Sequence, residues 1–189
     1  GQGNRFAVLG SGAQHPAWWI KGTIVPHGTL ALRRTLMADL TDILNWRRID
    51  GRVTTSGQPT EAQLGTIKDT GVTHIINLGP HTNDGALDDE PGTVAALGMT
   101  YIYIPVDFEN PTTADFDAFR DALTSLPDTA VHVHCIYNAR VSAFFHKLYQ
   151  TDATRANMDG IWRPGGVWAA FLGITDDVAL PNRYAGYDY

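Results

Sequence analysis

The sequence contains one cysteine, few positive charges and no long apolar run, and each of these absences excludes a class of protein. Because Cys135 has no partner for an intrachain disulfide, the fold must be stabilised by its core, and a reducing compartment such as the cytoplasm suits the free thiol. The 14 Lys and Arg residues against 20 Asp and Glu residues give a formal net charge of −6, which argues against nucleic-acid binding. No stretch approaches the about 18 apolar residues of a membrane helix, so no membrane contact is expected.

The organised part of the sequence pattern begins just after Met37. A chain of 189 residues, 43% of them hydrophobic, is long enough for one compact domain with a sizeable core. Residues 1–36 do not resemble a signal peptide, because they lack a charged start followed by a compact apolar stretch. We predict that they are a leader or a segment added for expression, in part disordered; the alternative is a genuine extension that docks its tryptophans onto the domain. The domain is predicted over residues 37–175, with a C-terminal tail over residues 176–189.

Short apolar strands alternate with helical patterns along the domain. Strands are predicted within RVTTSGQ, VTHIINLG, TYIYIPV and AVHVHC, and helices within ADLTDILNWRRI, TEAQLGTIKDTG, TVAALG, PTTADFDAFRDALTSL and RVSAFFHKLYQ, with a packed helical end in MDGIWRPGGVWAAFLG and a polar loop in PHTNDGALDDEPG. This alternation predicts an α/β fold with a central, mostly parallel sheet flanked by helices. In such sheets ligands bind beyond the carboxyl ends of the strands.

The loop after the strand AVHVHC lies at this edge of the predicted sheet and contains Cys135 and Arg140. A short loop between a strand and a helix points its N–H groups inward, and these groups favour a thiolate and bind an anion. The thiolate is a nucleophile, and the guanidinium of arginine holds two phosphoryl oxygens. The loop residues predicted to bind phosphate are Ile136, Tyr137, Asn138, Ala139 and Arg140. The alternative is a cysteine buried as a small apolar group beside a surface arginine.

Neighbouring residues fit the same interpretation. Asn138 tolerates the positive φ that a tight anion loop requires, although asparagine is also common in ordinary turns. Ser142 is predicted to stabilise the thiolate as it leaves the phosphorylated enzyme, or else to pack or cap the helix. Asp107, in the loop after the strand TYIYIPV, is the predicted general acid, with Glu109 as the fallback and loop capping as the alternative.

The two histidines of this strand are not predicted to bind a metal. His132 and His134 alternate on one strand face, but no further cysteine or nearby carboxylate completes a ligand set. His134 is instead expected to hydrogen-bond the loop backbone and position Cys135. No metal and no cofactor is therefore expected.

Several segments in order resemble one known family. RIDGRVTTSGQPTEAQL, VTHIINL, ALGMTYIYIPVDFENPT, VHCIYNARVSAF and GVWAAF are similar to the bacterial tyrosine-phosphatase-like proteins, which are related to the dual-specificity phosphatases and whose signature loop is one residue short. This resemblance implies a cysteine-phosphatase fold in which Cys135 is the nucleophile, Arg140 the phosphate binder and Asp107 the general acid. Ser56, Gln58 and Pro59 also match the family, which places them near the site without assigning a role.

The spacing from cysteine to arginine leaves the activity open. Only four residues separate Cys135 from Arg140, one fewer than in the broader phosphatase superfamily, whereas Ser142 keeps its usual distance from the cysteine. The predicted function is a cysteine-dependent phosphatase, weakened by its shortened loop, that hydrolyses phosphotyrosine-like or small phosphomonoesters on a protein or a small molecule. The shorter loop also resembles that of the rhodanese-type sulfurtransferases, in which the thiolate carries a persulfide. A phosphate-binding module without activity is the remaining alternative.

Overall fold

A five-stranded sheet with helices on both faces forms the centre of the part of the chain that the structure describes. The computed structural model describes residues 39–175, so the predictions for residues 1–36 and 176–189 lie outside the described residues. The strands are β1 (Arg47–Arg48), β2 (Val53–Ser56), β3 (His74–Asn77), β4 (Thr100–Tyr103) and β5 (Val131–His134). The helices are α1 (Glu61–Asp69), α2 (Glu90–Ala96), α3 (Thr113–Thr124), α4 (Ala139–Tyr149), α5 (Asp152–Asp159) and α6 (Gly166–Leu172).

The order of the strands brings β5 to the middle of the sheet. The spatial order is β1-β2-β5-β3-β4, and every neighbouring pair is parallel except β1 with β2. This arrangement confirms the predicted α/β fold with a mostly parallel sheet. Because β2, β3 and β5 run in the same direction, their carboxyl ends meet at one edge, with Ser56 and Asn77 on either side of His134.

Two helices begin where the sequence indicates. Thr60 and Thr112 accept hydrogen bonds from the backbone N–H groups of Gln63 and Asp115, whose side chains reach back to the threonine N–H groups. Each pair forms a capping box, which satisfies two of the N–H groups that the first turn of a helix leaves open. Threonine is among the residue types preferred at the N-cap, so the starts of α1 and α3 follow from the local sequence.

The helix predicted within ADLTDILNWRRI is wrong. Only a short 3₁₀ turn, Leu40–Asp42, forms there, and Asp39 caps it. Ile43 is already extended, with φ −74° and ψ 131°, which ends the helical path, and Arg47 and Arg48 pair with Thr55 and Thr54 of β2. Strand pairing in the tertiary structure therefore overrides the local helical propensity.

The polar loop predicted for PHTNDGALDDEPG is also shorter than expected. Helix α2 begins at Glu90, with Asp89 as its N-cap and Pro91 in its first turn. The Glu90 side chain is buried, with 1% of its surface exposed. Glu90, which the sequence pattern places in a polar loop, is therefore an interior residue.

Each face of the sheet covers its own apolar core. The first core lies against α3 and α4 and includes Val53, Val106, Phe116, Phe119, Val131, Val133, Cys135, Phe144, Phe145, Trp162 and Trp168. The second core lies against α1 and α2 and includes Ile43, Leu64, Ile67, Ile75, Val94 and Met99. Successive strand residues point to opposite faces, so this division follows the alternation in the sequence. Within residues 39–175 no helix is both long and apolar enough to span a bilayer.

Candidate active site

The cysteine loop, residues 135–140, crosses the edge where three strands end. The N–H of Cys135 donates to the Ser56 carbonyl at 3.4 Å, and the N–H of Leu78 donates to the His134 carbonyl at 2.8 Å. These bonds extend the pairing of β5 with β2 and of β5 with β3 by one residue, to Cys135 and to Leu78. The start of the loop is therefore fixed by the sheet on both sides.

Two carbonyl groups of the loop accept hydrogen bonds from residues outside it. The Ile136 carbonyl accepts from the Gln58 N–H at 3.0 Å, and the Tyr137 carbonyl accepts from Nδ2 of Asn45 at 2.9 Å. Among residues 39–175, none accepts a hydrogen bond from the backbone N–H of Ile136, Asn138, Ala139 or Arg140. Helix α4 starts at Ala139, so the positive end of its dipole adds to these open donors.

Asn138 makes the sharp bend of the loop. Its φ of 69° confirms the positive value that the sequence indicates, and its side chain is buried. Nδ2 of Asn138 donates to the Asn45 carbonyl at 2.8 Å and to Oγ1 of Thr55 at 3.1 Å. The asparagine thus supplies both the backbone conformation and the attachment to β2.

Two glycines leave room for the loop. A Cβ at Gly57 would lie 2.8 Å from the Ile136 carbonyl oxygen, closer than real Cβ atoms approach. A Cβ at Gly79 would lie 3.3 Å from the Ile136 nitrogen and 3.4 Å from Cα of Cys135. Gly57 is therefore restricted to glycine by close backbone approach, whereas a Cβ at Gly79 would require a small shift of its neighbours.

Arg140 reaches from α4 across to the loops after β3 and β4. Its side chain is buried, and Nε donates to the Val106 carbonyl at 2.8 Å while Nη2 donates to Oδ1 of Asn83 at 3.3 Å. The centre of the guanidinium lies 5.1 Å from the centroid of the Phe108 ring, within cation–π range. These contacts fix the fork of the guanidinium and leave further N–H bonds for a ligand.

A cleft of about 350 Å³ opens beside Arg140. It is lined by Pro80, Thr82, Asn83, Pro105, Asp107, Phe108, Glu109 and Arg140. Asp107 is exposed, and its Oδ1 accepts from the Glu109 N–H at 3.0 Å. The structure therefore brings the predicted acid, its fallback and the predicted phosphate binder to one cleft.

Cys135 and Ser142 are buried and are not among the residues that line the cleft. Cys135 has no exposed surface and packs in the first core. Oγ of Ser142 donates to the Ala139 carbonyl at 3.0 Å and accepts from Nε1 of Trp162 at 3.2 Å. The hydroxyl proton of Ser142 is thus directed at its own helix. Trp162 is a neighbour of the site that the sequence did not reveal, because it comes from the segment between α5 and α6.

Behind the cysteine loop, His134 meets a buried carboxylate. Nε2 of His134 lies 2.7 Å from Oε1 of Glu90, with 0% and 1% of the two side chains exposed. Among residues 39–175 neither ring nitrogen of His134 has a hydrogen-bond partner, so the bond to the loop backbone that the sequence predicted for His134 is not formed, and the ring faces the Glu90 carboxylate instead. Sequence reasoning missed Glu90, and its place directly before a proline at a helix start was the available signal.

The carboxylate of Glu90 has three donors. Nε2 of Gln58 lies 3.2 Å from Oε1, while Nδ2 of Asn77 and the hydroxyl of Tyr101 lie 2.9 and 3.1 Å from Oε2. Burial raises the pKa of Glu90, but the close contact with His134 and its charge, with the bonds from Gln58 and Tyr101, outweigh it and hold this pKa below its ordinary value. Gln58, which the family resemblance placed near the site, therefore connects the loop to this carboxylate.

His132 is held as a neutral ring one step further back. The Ser56 hydroxyl donates to the Gly57 carbonyl at 2.6 Å, so Nε2 of His132, 2.9 Å away, is the donor to Ser56. Nδ1 of His132 then accepts from the Thr54 hydroxyl at 2.9 Å. Burial lowers the pKa of His132 well below its ordinary 6.5, and the charge of His134 lowers it further. Ser56, another residue that the resemblance marked, thus orients a buried histidine.

The neutral state of His132 predicts a loss of stability in mild acid. Its folded pKa lies below its unfolded value of 6.5, so the unfolded chain binds one more proton as the pH falls below 6.5. The free energy of unfolding should then fall by up to about 1.4 kcal/mol per pH unit from this group. Urea unfolding of wild type and His132→Gln between pH of about 7 and 5 measures it. Parallel curves for the two proteins would show that His132 does not contribute.

Comparison with known proteins identifies the family. No family model matches the chain. A crystal structure of a DUF442 protein from Shewanella putrefaciens CN-32, assigned as a phosphatase, is 34% identical, with a TM-score of 0.66 over 71% of this chain and 92% of that one. The chain belongs to the DUF442 family. The resemblance to tyrosine-phosphatase-like proteins is confirmed, and the family supports a phosphatase activity in general.

Two other relatives share less with this DUF442 chain. The core catalytic domain of the PP-IP phosphatase Siw14 from S. cerevisiae has the same fold, with a TM-score of 0.57 over 71% of this chain and 87% of that one, at 12% identity. A beta-lactamase hydrolase-like protein from Agrobacterium fabrum is 34% identical over 94 residues. That match covers 47% of this chain but only 21% of the length of the Agrobacterium protein.

Proposed function

We propose that the protein is a cysteine-dependent phosphatase that hydrolyses phosphotyrosine-like or small phosphomonoesters through a thiophosphate intermediate on Cys135. The observation that carries the proposal is the cysteine loop, whose N–H groups at Ile136, Asn138, Ala139 and Arg140 have no acceptor among residues 39–175 and which leads into the start of α4. Such an array is an anion-binding concavity. The fixed guanidinium of Arg140 on the adjoining cleft supports the same ligand.

In the first step the thiolate of Cys135 attacks phosphorus. A sulfur–phosphorus bond forms and the bond from phosphorus to the ester oxygen breaks, while Asp107 gives its proton to the departing oxygen. The loop N–H groups and Arg140 hold the other phosphoryl oxygens, whose charge is redistributed in the transition state. Asp107 is suited to this role because it is exposed on the cleft that Arg140 lines.

In the second step water attacks the thiophosphate. Asp107, now ionised, accepts a proton from the water, an oxygen–phosphorus bond forms, and the sulfur–phosphorus bond breaks to return the thiolate. Ser142 would assist by donating to the departing sulfur, which requires its hydroxyl to rotate away from the Ala139 carbonyl. The indole of Trp162 would keep the Ser142 oxygen in place during that rotation.

A rhodanese-type sulfurtransferase is the second candidate, and the loop length favours it. Four residues between Cys135 and Arg140 form a smaller ring of N–H groups than the usual phosphatase loop has. In that chemistry the thiolate takes a sulfur atom from a donor such as thiosulfate, with sulfite leaving, and passes it to an acceptor such as cyanide. This reaction gives Asp107 no role.

One set of assays separates these functions. We expect wild type to hydrolyse para-nitrophenyl phosphate and Cys135→Ser to lose at least about 10⁴-fold in rate, because removal of a nucleophile disables the whole constellation. Mass spectrometry of protein quenched during turnover should detect a phosphoryl group on Cys135. Ser142→Ala is the matched control, since it keeps the thiol and should show a partial loss.

The other outcomes contradict the proposal in distinct ways. Transfer of sulfur from thiosulfate to cyanide without phosphatase turnover would indicate the sulfurtransferase. Binding of inorganic phosphate, measured by calorimetry, without either reaction would indicate a binding module. Hydrolysis that persists in Cys135→Ser would exclude the thiol as the nucleophile.

A further inference from the structure

Asn83, in the loop after β3, contacts the residue proposed to bind phosphate but has no part in the steps above. Its Oδ1 accepts from Nη2 of Arg140 at 3.3 Å, and both residues line the cleft that also contains Asp107. A side chain that contacts the guanidinium and lines the cleft is placed to contact the same ligand. What it can offer depends on which amide atom is open and on how firmly its loop is held.

The orientation of the Asn83 amide is fixed by its partner. A guanidinium has five N–H donors and no acceptor, so the amide atom that faces Arg140 has to be the oxygen. The other amide atom, Nδ2, carries two N–H donors. Among residues 39–175 no group accepts a hydrogen bond from Nδ2 of Asn83. Asn83 therefore has two open donors beside the arginine, for which the acceptor is a ligand or water.

The loop that contains Asn83 is held by two turns and by β4. The N–H of Asn83 donates to the Pro80 carbonyl, and the N–H of Ala86 donates to the Asn83 carbonyl, each at 3.1 Å. Within the first turn, the N–H of His81 donates to the Tyr103 hydroxyl at 2.9 Å, and the two rings stack with their centroids 3.9 Å apart. Donors on a fixed backbone bind a ligand without the cost of ordering a mobile loop.

The cysteine loop has fewer donors than the usual phosphatase loop. With four residues between Cys135 and Arg140, it has one N–H group fewer. Nε of Arg140 is also engaged, because it donates to the Val106 carbonyl. A phosphoryl group has three oxygens that accept hydrogen bonds strongly, and bonds to a charged oxygen are stronger than those between neutral groups. A further side-chain donor beside Arg140 compensates for the shortened loop.

We propose that Asn83 is a further phosphate-binding residue, which donates from Nδ2 to a phosphoryl oxygen while its Oδ1 holds Arg140. The inference rests on the proposed function and extends the phosphate site to the loop after β3. The amide adds a hydrogen bond but no charge. Because one end of the side chain contacts the arginine and the other end the phosphoryl group, substitutions can separate the two contacts.

Two substitutions of Asn83 make this separation. Asn83→Asp keeps an acceptor for Arg140 and removes the donors, whereas Asn83→Ala removes both. We expect the affinity for inorganic phosphate, titrated by NMR, to fall about 10–100-fold in each variant, because a bond to a charged oxygen is lost. If Asn83 only positions Arg140, Asn83→Asp should bind phosphate as wild type does. That result would overturn the proposal, as would wild-type affinity in Asn83→Ala.

The negative charge of Asn83→Asp requires its own control. Thr82 precedes Asn83 and lines the same cleft, so Thr82→Asp adds the same charge and leaves the Asn83 donors in place. We expect Thr82→Asp to weaken phosphate binding less than Asn83→Asp does. An equal loss in the two variants would assign the effect of Asn83→Asp to its charge and contradict the proposal.

A measurement on wild type keeps the test valid if the variants fail to fold. The side-chain N–H protons of Asn83 should move downfield in the NMR spectrum as phosphate saturates the protein, because they enter a bond to a charged oxygen. Signals that stay in place at saturation, or a wild type that binds no phosphate, would refute the inference.

This inference and the proposed function can fail separately. Neither the affinity for phosphate nor the shift of the Asn83 protons requires turnover, so the contact can stand if hydrolysis is not found. Conversely, hydrolysis that depends on Cys135, together with unmoved Asn83 signals at saturating phosphate, would support the proposed function and refute the contact alone.

Discussion

We expect Arg140→Lys to slow phosphomonoester hydrolysis by about 10²–10³-fold, although the positive charge is retained. The loss should appear in kcat as well as in KM, because the guanidinium holds oxygens whose charge is redistributed in the transition state. Lysine cannot replace its two bonds at once, since Nε and Nη2 of Arg140 point to Val106 and Asn83 in fixed directions. Steady-state kinetics with para-nitrophenyl phosphate measure both constants.

The control for Arg140→Lys is the same change at an exposed position. Arg120 on α3 pairs with Asp117 and Asp121 at the surface, so Arg120→Lys should leave the rate unchanged. A buried carbonyl that loses its donor costs about 1–3 kcal/mol, so Arg140→Lys should also unfold at lower urea concentration. Full activity in a destabilised Arg140→Lys would restrict the arginine to holding the Val106 loop.

Most of the strands and helices can be predicted from local sequence patterns. The β-branched strands between helices predict the parallel sheet, and Thr60 and Thr112 mark helix starts through bonds to residues three positions along. The helix predicted within ADLTDILNWRRI is wrong because the conformation of this segment depends on a distant part of the chain, the strand β2 with which it pairs. Local helical propensity contains no information about a partner strand elsewhere in the chain.

The residues of the candidate site also fall into those that local sequence predicts and those that only tertiary contacts bring together. The cysteine, the bend at Asn138 and the nearby arginine come from one continuous stretch, so their chemistry can be interpreted from spacing alone. Glu90 and Trp162 join this stretch from α2 and from the segment after α5. A glutamate is usually predicted to be solvated and a tryptophan to be a core residue. Only the tertiary contacts therefore show that Glu90 and Trp162 lie beside the cysteine loop.

Asp107→Asn is expected to lower the rate by about 10²–10⁴-fold for esters with poor leaving groups and much less for esters with good ones. The reason is that a general acid matters in proportion to the basicity of the oxygen it protonates. Phenyl phosphate should therefore lose more than para-nitrophenyl phosphate.

Glu109→Gln provides the comparison that assigns this role to one carboxylate. Both acids line the cleft with Arg140, and Oδ1 of Asp107 accepts from the Glu109 N–H, so the two changes disturb the same loop and remove the same charge. If Asp107 is the acid, only its variant should show the dependence on leaving group. The reverse result would transfer the role to Glu109, and an equal effect of both would show that only the negative charge of the cleft matters.

Because the Arg140 guanidinium donates to the Val106 carbonyl, the loop that contains Asp107 is attached to the residue proposed to bind phosphate. A substrate that draws on Arg140 would then also bring Asp107 toward the leaving oxygen.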